Sequence, residues 1–171
     1  MPTVRRFLGA AIALSILTLA LVGYLLADEG RLARMGFRLH TPDWRLLLEV
    51  SPVIQLHIAA ALTALVIGTV LLIGVKGTRR HRILGWSWVT AMTTTAVSSL
   101  FIHSINPGGL SLIHLLSGWT IISLPMAIYA IRRGKVQAHR RAMTGMFVGG
   151  LLVAGALTFL PGRLMWAIFF G

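Results

Sequence analysis

Two short strings carry the residues most able to do chemistry. HRILGW occupies residues 81–86 and HLLSGW residues 114–119. Each sets a His four positions before a Gly that is followed at once by a Trp. On a helix, positions i and i+4 share a face, so Gly85 opens a gap beside His81 and Gly118 a gap beside His114. A flat prosthetic group ligated by an imidazole needs such a gap. His57 and His139 complete a set of four histidines placed near the ends of apolar runs.

Other chemistry is thin. No Asp or Glu occurs after Glu49, which leaves no carboxylate pair for acid–base catalysis and no carboxylate for cation coupling. HExxH, GxSxG and P-loop strings are absent. With no cysteine in the chain, disulfides and thiolate sites are excluded. Histidine is what remains, and an ionisable group at membrane depth is functional by default because it is costly to place there.

The elements that must hold these histidines are membrane helices. Of 171 residues, 56% are hydrophobic and 12% charged, about half the usual charged share of a soluble domain. Charge-free runs bound five spans at about 7–27, 52–75, 83–102, 110–131 and 142–160. Each matches the ~20 residues needed to cross ~30 Å of hydrocarbon, and internal hydrogen bonding makes them helices. The expected fold is therefore an all-α membrane protein in one domain, 1–171, with helices 2–5 forming a four-helix bundle. The first run exceeds the ~7–15 apolar residues of a secretory signal, so it is expected to be retained. Residues 28–50 hold all four acids and read as an outer amphipathic segment. There Thr41-Pro42-Asp43 has the form of an N-cap, an N1 proline and a first-turn acid. Ser51-Pro52 opens the next helix, and residues 161–171 form an interfacial tail.

The net charge of +12 is distributed as topology signal and anionic-lipid contact, not as a nucleic-acid surface. With the N-terminus inside, the inner side collects Arg5, Arg6, Lys76, Arg79, Arg80, Arg82, Arg132, Arg133, Lys135, Arg140 and Arg141, with no acid. The positive-inside rule gives N-in, C-out, and the expected location is the plasma (inner) membrane, multi-pass.

On that topology His57 and His114 lie near the outer face of spans two and four. His81 and His139 head spans three and five at the inner face. A closed bundle would bring each pair together across its core, and neutral imidazole ligates haem iron. The competing readings are headgroup-solvated histidines for His81 and His139, packing histidines for His57 and His114, and a His57–His103–His114 metal site at the outer face. Trp86, Trp88 and Trp119 fit an interfacial aromatic belt. Gly145, Gly149 and Gly150 form a small-residue packing face, within the bundle or between subunits.

With His57 in span two, HRxLG after the inner loop, His114 opening span four and His139-x-Arg141-x-Met143, residues 52–160 resemble an uncharacterised family of small bacterial integral-membrane proteins. That family carries only a domain-of-unknown-function label and implies no activity. The alternating histidines are also similar to the cytochrome b561 type of transmembrane dihaem electron carrier. That resemblance implies two b haems, one on His57 and His114 and one on His81 and His139, with a quinone or another redox partner. The chain departs from that type in having five spans and not six, and in lacking an ascorbate-site sequence. The alternatives are a non-catalytic subunit or assembly factor of a larger membrane complex or homo-oligomer, and the outer metal site.

Overall fold

A computed structural model describes residues 40–102 and 112–170; the first expected span, the 106–109 turn and His103 lie outside them. The described residues form helices and turns, with no strand. A short helix α1 (Arg45–Glu49) precedes three long rods, α2 (Pro52–Ile73), α3 (Arg79–Ser99) and α4 (Leu112–Arg132). A fourth rod is built from α5 (Val136–Gly145), a π-helical segment (Met146–Val153) and α6 (Ala154–Leu157). Helix α7 (Leu164–Phe170) ends the chain.

Local chemistry sets most of these limits. Pro52 stands in the first helical position after Ser51, where its missing N–H costs nothing. Thr78 caps α3, its hydroxyl accepting from the His81 amide at 3.1 Å. That cap starts α3 at Arg79, four residues before the apolar run expected to begin it. Gly77, Gly134 and Gly162 turn the chain with positive φ, a conformation in which a side chain is strained. The Thr41-Pro42-Asp43 expectation is corrected: α1 begins after Trp44, and Asp43 Oδ1 accepts from the Arg45 amide at 3.0 Å as a turn.

The four rods close into a ring. α2 packs along α3 and against the π segment, α3 packs on α4, and α4 packs on α5 and the π segment. α2 buries Ala60, Ala64 and Gly68, a stripe of small residues at i, i+4 and i+8 that lets neighbouring rods approach. The core inside the ring contains Trp88, Met92, Leu124, Met146, Phe147 and Leu151. Outward, α2 bares Leu56, Leu62, Val66, Val70 and Ile73. Two of the described helices, Pro52–Ile73 and His114–Arg132, are long and apolar enough to cross a membrane. α3 has the length, but four Thr, three Ser and three Arg dilute its apolarity.

Three expectations change here. Trp88 is 3% exposed and belongs to the core, whereas Trp86 and Trp119 are 55% and 42% exposed. The small face of the fourth rod is used inside the chain: Gly145 and Gly149 lie under the Trp119 ring, and Gly150 under Met92 and Thr120. The terminal tail folds back on its own chain. Ile168 is fully buried, its carbonyl accepts from the Asp43 amide at 3.0 Å, and Phe169 meets Trp44 edge-on at 5.9 Å.

Gly68 is the tightest point of this packing. A Cβ there would stand 2.5 Å from Phe147 Cδ2 and 2.7 Å from Trp88 Nε1. Gly68→Ala should destabilise the protein by about 1–3 kcal/mol through overpacking. Gly149→Ala, whose Cβ would meet Trp119 at 3.8 Å, should be nearly neutral. Thermal unfolding in one detergent checks both, and equal melting temperatures for the two variants would contradict this packing.

Candidate functional site

The histidines fall into two layers, at opposite ends of the ring. Among the described residues, every buried hydroxyl side chain belongs to one layer. These are Thr95, Ser98 and Ser99 on α3 and Ser117 and Thr120 on α4. They sit near the end where α2 begins. His57, in the second turn of α2, points at them: its Nδ1 lies 3.0 Å from the Thr95 carbonyl and 3.1 Å from Ser98 Oγ. A carbonyl only accepts, so Nδ1 carries the proton and Nε2 keeps a lone pair. Ser98 Oγ donates to the Thr94 carbonyl at 2.6 Å, which leaves it able to accept from His57. Ser99 and Ser117 are hydrogen-bonded to each other and tie α3 to α4. His114 is half-buried and one turn before Ser117 on the same helix, so it shares this layer.

The opposite layer holds His81 and His139. His139 is flanked by Arg140 and Arg141 in sequence, yet its ring turns inward. Its Nδ1 donates to the Ala127 carbonyl of α4 at 3.0 Å. Ala127 is 1% exposed and five residues inside the last residue of α4, roughly 7 Å along the axis. A histidine solvated among headgroups would not make that bond. As at His57, the acceptor is a main-chain carbonyl, which fixes the proton on Nδ1 and leaves the Nε2 lone pair for another partner. His81 stands on the first turn of α3. Partial burial holds its pKa below the ordinary 6.5, and the charges of His139 and Lys76 lower it further.

Gly85 and Gly118 have open space where a Cβ would be, with no atom within 4 Å. Each gap lies on the same helical face as the His four residues earlier. The donor set matters as much as the space. Among the described residues, no group of three or more His, Cys, Asp or Glu side chains stands close enough to hold a metal ion. A site made by such ligands alone is therefore not formed there, and His103 of the three-His alternative lies outside the described residues.

The hydroxyl layer was missed in the sequence. Its signal was present: TTTAVSS, residues 93–99, puts five hydroxyls into seven positions of a helix. Most of them bond the carbonyl three or four residues back, as Thr95 does to Ala91 at 2.9 Å and Thr93 to Val89 at 2.8 Å. Back-bonding makes such residues acceptable in an apolar helix. Composition therefore does not separate them from inert spacers. Only the neighbour opposite, His57, does so.

A family model described as Predicted membrane protein (DUF2306) matches residues 54–170. No curated protein matches the chain, and no solved structure does.

The two layers make distinct spectroscopic predictions. Selective 15N labelling of histidine should show the Nδ1-protonated tautomer at His57 and at His139 at neutral pH; Nε2 protonation at either would remove the carbonyl bond described. The His81 ring should titrate below 6.5, and His139→Gln should move it upward toward the ordinary value, since one of the charges lowering it is gone. An unchanged His81 titration in that variant would separate the two residues.

Proposed function

We propose a function for a chain that belongs to the DUF2306 family of predicted membrane proteins: it carries electrons across a bilayer on two b-type haems, each held between two histidines. The supporting observation is the repeated arrangement at His57 and His139. Both rings donate Nδ1–H to a main-chain carbonyl of a neighbouring helix, at 3.0 Å in each case. This is how a metal-ligating imidazole is held in one tautomer and one orientation with Nε2 offered to the metal. His114 would face His57 and His81 would face His139. The gaps at Gly85 and Gly118 would admit the edge of a ring that any larger side chain obstructs. The group would supply one-electron transfer between ferric and ferrous iron.

The chain's own residues have the remaining tasks. The Thr95 carbonyl and Ser98 hydroxyl fix the His57 ring, and the Ala127 carbonyl fixes His139. The packed middle of the bundle, with Trp88, Met92 and Phe147, keeps water from joining the two layers. Lys76, Arg79, Arg80, Arg82, Arg140 and Arg141 are exposed at the His81 end and would offset propionate charge there. With those residues inside, the reading has five spans, N-in and C-out, in the plasma membrane. The alternative, a non-catalytic subunit or assembly factor of a larger membrane complex, drew on the small size, the Gly-rich face and the apolar tail; Gly145, Gly149 and Gly150 pack within the chain, while Leu152, Leu157 and Phe159 are exposed.

A reduced-minus-oxidised spectrum of protein purified after haem-supplemented expression tests the reading. A b-type alpha band should appear. His114→Ala should lose the haem of the His57 layer and keep the other, halving the band. A colourless wild-type protein would end this proposal, and loss of both bands or neither in His114→Ala would refute the pairing.

A further inference from the structure

Two uncommon features meet at one point in the middle of the ring. The first is the Trp88 indole. It is buried, and its Nε1–H has no hydrogen-bond partner among the described residues. An unbonded buried donor is costly, and native structures keep few of them. The second is the winding of the fourth rod. Over Met146–Val153 it is π-helical, and the Ala154 amide donates to the Gly149 carbonyl five residues back as well as to that of Leu151. A π turn holds more residues than an α turn, and such turns collect at functional sites. Phe147 joins the two features. It stands in the π segment, it is buried, and its ring shares the Gly68 gap with the indole: a Cβ on Gly68 would lie within 2.7 Å of Phe147 and of Trp88 Nε1. The rod is held on either side of this point. His139 at its head is bonded to the Ala127 carbonyl, and in α7, which follows it, the Ile168 carbonyl takes the Asp43 amide. These ties oppose turning of the rod as a whole. The extra residue of the π segment is free to migrate along it, and each residue it passes turns by about 100°. Turned so, Phe147 leaves Gly68.

We propose that Phe147 is a movable plug between the two polar layers, carried on the π segment, and that its withdrawal admits water to the Trp88 Nε1–H. Water is the occupant that fits. A departing phenyl ring frees more than the ~30 Å³ share of one water molecule, and the site offers one donor and no charge. The indole donates to the water, and the water donates to a main-chain carbonyl that the migrating turn leaves without its amide. Trp88 lies seven residues from both His81 and Thr95, about 10 Å along α3 in each direction. A water held there stands midway between the layers that the closed plug keeps apart. The inference needs no bound cofactor and stands independently of the electron-carrier reading.

Hydrogen exchange of the full-length, 15N-labelled protein in detergent tests this, with Trp88→Phe assigning the indole signal. Protection is the rate of an N–H in an unfolded peptide divided by its rate in the protein. The best-protected amides of α3 exchange only through global unfolding. The Trp88 Nε1–H should be protected at least about tenfold less than they are, because withdrawal of the plug reaches it without unfolding. Deleting Val148 removes the extra residue and leaves an α winding with nothing to migrate. Trp88 protection should then rise to that of the best-protected α3 amides, whereas general damage would lower both together. Phe147→Ala removes the plug and should widen the gap about tenfold further, with a cross-peak between the indole proton and water. Equal protection of Trp88 and the best-protected α3 amides in the unaltered protein would overturn the proposal, whether or not the deletion variant folds. An unchanged gap in the folded deletion variant, or in Phe147→Ala, would overturn it as well.

Discussion

Apolar surroundings give a polar group nowhere to go except another part of the same chain, and that constraint orders this structure. Hydrocarbon offers no hydrogen bond, so each hydroxyl, amide and imidazole placed in it must be matched internally. The hydroxyls of α3 satisfy it by turning back on their own helix. Two histidines cannot, because an imidazole is too large to reach back along its own helix in that way. They reach sideways instead, His57 to the Thr95 carbonyl of α3 and His139 to the Ala127 carbonyl of α4. Each bond joins two neighbouring rods of the ring and fixes a tautomer, so the same contact is structural and leaves Nε2 prepared for chemistry.

Packing between these polar layers divides the bundle. Trp88 lies seven residues after His81 and seven before Thr95, so the three share one stripe of α3 at intervals of about 10 Å. The indole fills the middle of the ring against Gly68 and Phe147. Its Nε1 is buried with no partner among the described residues, the kind of donor the same constraint penalises. The shape of the ring at this point takes precedence over its polarity.

The ends of the bundle differ in electrostatics. One carries exposed arginines and lysines with no acid among them. The other is closed by α1 and α7, tied through Asp43, Ile168 and the Trp44–Phe169 contact. Phe159, Trp166 and Phe170 extend that aromatic cluster, with Trp166 and Phe170 5.1 Å apart. Residues 40–50 and the apolar tail thus pack together.

By itself the sequence determined that the described residues form long helical rods, and roughly where those rods break. Those follow from length of apolar run, from Ser51-Pro52, Lys76-Gly77 and Pro161-Gly162, and from flanking charge, all of which act locally. Only the tertiary structure decided which way side chains face. His139 reads as a headgroup histidine beside two arginines, and a carbonyl on another helix turns it inward. Trp88 reads as a belt residue like Trp86, and the Gly68 gap on α2 draws it into the core. TTTAVSS reads as back-bonded filler until His57 stands opposite it. The π segment has no signal at all, because Gly145, Gly149 and Gly150 suit either helical winding, and the large partners that lie over them, Trp119 and Met92, come from other rods. In a helix that is apolar on every face, periodicity no longer marks the inside. The neighbour does, and the neighbour is set by the fold.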